Sequence, residues 1–66
     1  MIKGKIKWYD NVKGFGFIVS EDGEDIFVHR SGLEESHIDL QPDQQVIFET
    51  KQGDKGIFAF NVRIDD

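Results

Sequence analysis

The chain is short and acidic: it has 66 residues, a formal net charge of −5 and no cysteine. The absence of cysteine excludes a disulfide framework and a thiolate metal site. No signal-peptide pattern opens the chain, and no apolar run approaches the roughly 20 residues that a membrane helix needs. We therefore expect a single domain over residues 1–66, without a membrane segment, in the cytoplasm.

Hydrophobic residues alternate with polar ones almost throughout, which is the period of β-strands. Five strands are predicted, over residues 2–10, 14–20, 24–30, 45–52 and 57–64. A long connection over 31–44 contains Leu33, Ile38 and Leu40, and its stretch LEESHI is long enough for one helical turn. Short strands with hairpin turns predict an all-β fold, a five-stranded antiparallel barrel of the OB-fold type, because closure removes exposed sheet edges.

Charge is unevenly distributed along this chain. Residues 1–19 hold four lysines and one aspartate, a net charge of +3, whereas residues 20–66 hold four basic and twelve acidic residues, a net charge of −8. A charged stretch is usually only a solvated face, so the asymmetry alone identifies no partner. The negative total nevertheless does not exclude a phosphate-bearing ligand at the basic N-terminal third.

The third predicted strand has one aliphatic face and one polar, aromatic face. In the stretch DIFVHR, Ile26 and Val28 share one face, and the other holds Asp25, Phe27 and His29. Burial of an aspartate and a histidine costs free energy unless both find partners, whereas the aliphatic pair buries readily. The aliphatic face is therefore predicted to lie inside, and Phe27 and His29 are predicted to face solvent.

The second strand carries the motif KGFGFI. A three-residue hairpin over 21–23, with its glycine in the left-handed conformation, pairs Phe17 with Phe27 and Phe15 with His29. Taken alone, phenylalanines at alternate positions are more typical of the core face of a strand. Because paired strands share faces, the register instead predicts a contiguous outer patch of three phenylalanines and a histidine.

Exposed aromatic rings beside lysines suit single-stranded nucleic acid. Each base has a π-face that stacks on a ring, and each phosphate has a charge that a lysine neutralises. Lys7, Lys13 and Lys55 are predicted to follow the phosphate backbone. The alternative is a protein-interaction module that docks a partner on the phenylalanine patch, although such a patch does not by itself explain the lysines.

The two motifs are similar to those of a known family. KGFGFI resembles the first ribonucleoprotein motif and DIFVHR the second, as both occur in the bacterial cold-shock proteins, and the resemblance covers essentially the whole chain. It implies an OB-type barrel that binds single-stranded RNA and DNA, with a mild pyrimidine preference, and that melts or prevents RNA secondary structure at low temperature. It assigns to the binding face Lys7, Trp8, Lys13, Phe15, Phe17, Phe27 and His29, with Asp25 accepting a hydrogen bond from a base.

Several positions conflict with the alternation rule or depart from the family pattern. Strict alternation places Trp8 inside, whereas the resemblance places it outside, and a β-bulge near Lys7 or Trp8 would reconcile the two. Arg30 stands where the family commonly has an aromatic residue, and we expect its guanidinium to stack on a base and contact phosphate. His37 lies near another family aromatic position and is assigned to the same face.

The fifth strand leaves one position open. Parity predicts that Phe60, Val62 and Ile64 lie in the core. Phe58, at the start of the strand, is either a core residue or a further stacking ring, and we include it among the binding residues.

The residues give little support for catalysis. His29 and His37 are the only histidines, and no arrangement of Ser, His and Asp accompanies them. Two histidines without cysteine also give no metal-ligand constellation. We therefore expect a monomeric protein that is not an enzyme and has no catalytic residue, metal ion or cofactor.

Overall fold

The computed structural model describes residues 1–34 and 40–65. The five strands are β1 (Ile2–Asp10), β2 (Phe15–Ser20), β3 (Asp25–His29), β4 (Gln45–Gly53) and β5 (Gly56–Ile64). Every strand boundary lies within one residue of its predicted position. A 3₁₀ turn over Arg30–Gly32 follows β3, and no helix among the described residues is long and apolar enough to cross a membrane.

The strands form a closed barrel in the order β1-β2-β3-β5-β4, and β4 pairs with β1 to complete it. The predicted all-β, five-stranded barrel is confirmed. One pairing departs from antiparallel order, because β3 and β5 run parallel through Phe27–Phe58 and Val28–Ala59. Since five is an odd number, strand direction cannot alternate all the way around the barrel, and at least one neighbouring pair must be parallel.

Among the described residues, the barrel core is aliphatic except for Phe48, and Ser20 is the one buried polar residue. The buried hydrophobic residues of the core come from all five strands and from the long connection: Ile6, Ile18, Ile26, Val28, Leu40, Val46, Phe48, Ala59 and Val62. The aliphatic face of β3 is therefore inside, as predicted. In the long connection, the predicted helical turn at LEESHI falls largely on residues 35–38, which lie outside the described residues, as does Ile38.

The β2–β3 hairpin has the predicted register. Phe17 pairs with Phe27, and Phe15 pairs with His29. Gly23 in the loop has a φ of 85°, the left-handed conformation that a glycine adopts without steric cost. The hairpin consequently directs its phenylalanines to one side and its aliphatic residues to the other.

The register of β1 shifts in the middle of the strand. Ile6 pairs with Ile18, whereas Trp8 pairs with Phe17, so Lys7 is an extra residue on the β1 side. This is the bulge predicted from the conflict over Trp8. It places Ile6 in the core and leaves Trp8 with 40% of its surface exposed.

The core assignment in β5 is only partly correct. Val62 is buried as predicted, but Phe60 and Ile64 are only half-buried, and Ala59 fills the core instead. The reason is Asn61, whose φ of 52° is left-handed and interrupts the alternation of the strand. Because residues on the two sides of Asn61 no longer follow one parity, Phe60 lies on the outer side of the barrel.

Candidate nucleic-acid interface

Four aromatic rings from β1, β2 and β3 form one cluster on the outside of the barrel, which we call the aromatic face: Trp8, Phe15, Phe17 and Phe27. The ring centroid of Trp8 lies 5.8 Å from that of Phe15 and 5.7 Å from that of Phe17. Phe27 lies 6.4 Å from Phe15 and 5.8 Å from Phe17. These are contact distances for aromatic pairs, so the rings support one another while part of each remains in water.

Gly16 explains how β1 and β2 approach each other closely at this cluster. A Cβ added at Gly16 would collide with the carbonyl oxygen of Trp8 and would lie 2.7 Å from the Cα of Tyr9. Only a residue without a side chain therefore permits this close approach. The glycine between the two phenylalanines of KGFGFI thus faces inward and allows the backbone of β1 to pack against β2.

An ion pair borders the aromatic face. Lys7 Nζ lies 3.0 Å from Asp25 Oδ2, and each side chain is about half exposed, at 51% and 50%. Exposed pairs of this kind typically contribute about 0–1 kcal/mol to stability. Separation of the two side chains would therefore cost little stability.

His29 extends the same surface, and its ring is oriented by a neighbour. The backbone N–H of Ser31 donates to His29 Nδ1 at 3.1 Å, and Ser31 Oγ lies 3.0 Å from the same nitrogen. The imidazole therefore caps the 3₁₀ turn that follows β3. These hydrogen bonds restrict rotation of the ring.

The β1–β2 turn, which carries Lys13, is fixed by Asp10. Asp10 Oδ1 accepts hydrogen bonds from the backbone N–H groups of Val12 and Lys13, both at 2.9 Å. The hydrogen bond from the Lys13 amide, followed by that from Val12 and by the Lys13 charge, holds the pKa of Asp10 below its ordinary value of 3.8, although desolvation opposes them. The carboxylate is consequently charged near neutral pH, and the exposed Lys13 projects from an ordered turn.

Arg30 also contacts this turn. Its Nη2 donates to the carbonyl oxygens of Asn11, at 2.9 Å, and Val12, at 3.2 Å. Its guanidinium also covers Gly14, where an added Cβ would lie 3.0–3.1 Å from Nε, Cζ and Nη2. The guanidinium is thus engaged with the turn, and base stacking by Arg30 stays a prediction.

A groove separates the aromatic face from two further rings on β5, Phe58 and Phe60. The groove has a volume of about 840 Å³, and it is lined on the β3 side by Phe27 and His29, and on the other side by the two β5 rings and Lys55. We call it the β3–β5 groove. Phe58, which was left open between core and surface, therefore lies at the candidate site.

Similarity to a known family covers nearly the whole chain. A family model described as the 'Cold-shock' DNA-binding domain matches residues 2–64. The chain belongs to the cold-shock domain family. The resemblance inferred from KGFGFI and DIFVHR is thereby confirmed.

Individual cold-shock proteins match this chain over nearly their whole length. Cold shock protein CspD of Bacillus subtilis is 46% identical over 63 residues, which cover 94% of this chain and 96% of that protein. A cold shock-like protein of Thermotoga maritima is 44% identical over 64 residues, 96% of this chain and 97% of its own. The solved structure of drosophila Unr CSD456 superposes with a TM-score of 0.81 over 98% of this chain, at 20% sequence identity. This chain covers 26% of that longer one, and the likeness shows the shared fold.

The cold-shock domain brings most of the predicted site residues onto one side of the barrel. The aromatic face, the Lys7–Asp25 pair and His29 are contiguous with the β3–β5 groove, and Lys13 and Arg30 lie at the adjoining turn. His37 falls outside the described residues. Among residues 1–34 and 40–65, no group of three or more His, Asp or Glu side chains is arranged to hold a metal ion.

Sequence reasoning missed one residue of this surface, Phe60, because it assigned the residue to the core. The sequence feature that could have indicated the outward position of Phe60 is Asn61, because asparagine is enriched in the left-handed conformation that breaks strand alternation.

Proposed function

We propose that this cold-shock domain binds single-stranded RNA and DNA by stacking unpaired bases on the aromatic face. The observation that carries the proposal is the cluster of four contacting rings, of which Trp8 and Phe27 keep 40% and 37% of their surface in water. A domain of 66 residues has few large apolar side chains to bury, so such exposure in one contiguous patch favours a ligand-binding role. Base stacking on aromatic side chains contributes about 1–3 kcal/mol per base and tolerates sequence variation.

The charges around the rings support a nucleic-acid ligand over a protein partner. Lys7 and Lys13 border the aromatic face, and Lys55 lines the β3–β5 groove, so each can neutralise a phosphate of a strand lying across the rings. Asp25 supplies an acceptor for an exocyclic amine or a ring N–H of a base. The acidic remainder of the chain repels bulk nucleic acid and favours short residence on any one strand.

The biological role that follows is that of an RNA chaperone in cold adaptation. Because only unpaired bases can stack, binding stabilises the open state of a hairpin by mass action, without ATP or a catalytic residue. A mild pyrimidine preference, a monomeric state and a cytoplasmic location belong to the same proposal. Stacking does not distinguish ribose from deoxyribose, so both nucleic acids are expected to bind.

The decisive experiment is a titration of Trp8 fluorescence with oligo-dT and oligo-U at several salt concentrations. We expect quenching, because a base stacks on the indole. We also expect log affinity to fall with log salt at a slope near −2, since about three phosphate contacts on a single strand contribute about −0.7 each. Absence of quenching, or affinity that does not depend on salt, would overturn the proposal and favour the protein-interaction alternative.

Matched lysine variants make this titration specific. Lys7→Gln and Lys13→Gln should each reduce the slope by about 0.7. Lys3→Gln is the control, because Lys3 lies on the same strand as Lys7 but about 13 Å away along it, beside Ile47 of β4. Equal reductions of the salt slope by all three substitutions would indicate that the lysines attract the oligonucleotide only through overall charge, without specific phosphate contacts at the aromatic face.

The chaperone role has its own test. At saturating protein, the melting temperature of a weak RNA hairpin should fall, whereas Phe17→Ala protein at the same concentration should lower it much less. An unchanged melting temperature with wild-type protein that still binds oligo-U would refute the chaperone role and leave single-strand binding intact.

A further inference from the structure

The outer side of β5 carries two aromatic rings that belong to neither the core nor the four-ring cluster. Ala59 is only 1% exposed and points inward, so Phe58 and Phe60 on either side of it point outward. Both are half-buried. The left-handed residue Asn61 ends this alternation, which keeps Phe60 outside although Val62 lies inside.

These rings face the aromatic cluster across the β3–β5 groove. Phe27 on β3 and Phe58 on β5 are directly paired in the parallel ladder. Among the described residues, the ring contacts of the cluster nevertheless end at Phe27. The space between the two sets of rings is the groove of about 840 Å³.

Two glycines on the lining of this groove allow close packing against β5. A Cβ added at Gly53 would lie 2.9 Å from both Cδ1 and Cε1 of Phe58, so the Phe58 ring rests directly on a bare backbone. A Cβ added at Gly32 would lie 2.7 Å from the carbonyl oxygen of Ala59, so the turn after β3 packs closely on β5. The ring of Phe58 is therefore supported from below, and ligand binding immobilises it at small entropic cost.

We infer that the β3–β5 groove is an additional stacking site for one unpaired base of the bound strand, with Phe58 and Phe60 as its aromatic wall. The inference rests on the proposed single-strand binding and extends it by a site that the four-ring cluster does not include. A base is the fitting occupant because the groove continues directly from Phe17 and Phe27, and Lys55 on its lining can neutralise the adjoining phosphate. Asp25 and Ser31, also on the lining, supply hydrogen-bonding groups for the edge of the base.

The experiment compares affinities for a ladder of oligo-dT lengths, from three to about eight nucleotides, in wild type and in Phe58→Ala, Phe60→Ala and the double variant. As the oligonucleotide is lengthened, the affinity of wild type should continue to rise beyond the length at which the affinity of the double variant stops rising. On the longest oligonucleotide the double variant should bind about 5- to 150-fold more weakly, the equivalent of one stacked base, and on the shortest it should bind normally. Ile2→Ala is the control, because Ile2 is a similarly exposed apolar residue, 37% accessible, that pairs with β4 away from the groove.

Phe58→Leu guards against a folding artefact, since leucine keeps an apolar side chain over Gly53 but removes the π-face. Its unfolding midpoint should be close to that of wild type, and its loss of affinity should match that of Phe58→Ala. Wild-type affinity in all β5 variants at every length, with loss in Phe17→Ala, would overturn this inference and leave the proposed function standing. Failure of wild type to bind any oligonucleotide would instead remove the proposed function itself.

Arg30 carries a second inference, on independent observations. Its Nη2 bonds to two carbonyl oxygens of the β1–β2 turn, its guanidinium covers Gly14, and its own backbone N–H donates to the Gly14 carbonyl at 2.7 Å. Gly14 has a φ of 81°, so the turn has a conformation that few other residues would adopt. Lys13 and Phe15 flank this glycine in the chain.

The geometry points to Arg30 as a positioning residue that orders the turn and so places Lys13 and Phe15 for binding, where the family commonly has an aromatic residue. Lysine cannot reproduce this arrangement, because it lacks the planar guanidinium that bridges two carbonyls while covering the glycine. Arg30→Lys and Arg30→Gln should therefore weaken binding to a similar extent. A residue that merely neutralised a phosphate would be replaced well by lysine.

The salt dependence of binding and the amide exchange of the turn distinguish a positioning role of Arg30 from direct contact with a phosphate. In Arg30→Gln we expect faster hydrogen exchange at Gly14 and at residue 30, whose amides donate to the carbonyls of Asp10 and Gly14, and a log–log salt slope equal to that of wild type. Arg63→Gln is the matched control, because it removes the other arginine, whose Nη2 contacts Met1 Sδ at 3.3 Å. A slope reduced by about 0.7, with unchanged exchange and full rescue by lysine, would show that Arg30 contacts phosphate directly and would overturn the positioning role.

Discussion

Replacement of Phe27 and Phe48 by alanine should separate binding from folding. A domain of 66 residues is expected to have an unfolding free energy of about 3–10 kcal/mol. Phe48 is fully buried at 0% exposure, so Phe48→Ala should cost about 3–5 kcal/mol, because it also leaves a cavity. Phe27 already has 37% of its surface in water, and its removal opens no enclosed cavity, so Phe27→Ala should cost only about 1–2 kcal/mol. Its affinity for oligo-dT should fall by about 1–3 kcal/mol.

Urea unfolding followed by far-ultraviolet circular dichroism measures the first quantity without using Trp8, which is itself in the aromatic face. With a slope near 1 kcal/mol per molar urea, Phe27→Ala should lower the midpoint by about 1–2 M and Phe48→Ala by considerably more. If Phe48→Ala does not fold, Phe48→Leu provides the core reference. Equal destabilisation by Phe27→Ala and Phe48→Ala, or undiminished affinity of Phe27→Ala, would refute the reasoning.

Three further predictions concern single polar or glycine positions. Gly16→Ala should destabilise the domain strongly, because its Cβ would strike the Trp8 carbonyl, and a urea midpoint equal to wild type would contradict the close approach of the strands. The pKa of Asp10 is lowered on folding, so its contribution to stability is present above its unfolded pKa and is lost as pH falls through the folded pKa. The difference in stability between wild type and Asp10→Asn should therefore be constant near neutral pH and shrink below pH 3.8. A difference that grows on acidification would contradict this direction of the pKa shift. Lys7→Gln should change the unfolding free energy by less than about 1 kcal/mol but weaken oligo-dT binding at low salt, and the reverse pattern would show that the pair with Asp25 serves stability.

The β2–β3 hairpin could be derived from sequence because its two faces differ in chemistry. Asp25 and His29 are costly to bury, and this fact alone orients β3, after which a short loop ending in Gly23 fixes the register of β2. The aromatic face follows from local rules of this kind. Its prediction did not require knowledge of any contact between distant parts of the chain.

Other features depend on geometry that alternation does not encode. The bulge at Lys7 has no local sequence signal, so Trp8 could be placed outside only through the family resemblance. Arg30 and Lys7 reach partners 18 or 19 positions away, and their long side chains could have taken many other directions. Phe60 was misplaced because a left-handed residue inside a strand is rare, and parity was extended across Asn61.

The alternation at Phe58, Ala59 and Phe60 separates a position that the core depends on from positions that it does not depend on. Ala59 closes the barrel with a minimal side chain, so the neighbouring outward positions can change in size and chemistry without repacking the interior. Asn61, whose side-chain amide donates to Glu49 Oε2 at 2.8 Å, fixes where this freedom ends, because beyond it the strand returns Val62 to the core. β5 of this chain thus combines, in one short segment, outward positions that tolerate substitution with inward positions that the barrel core requires.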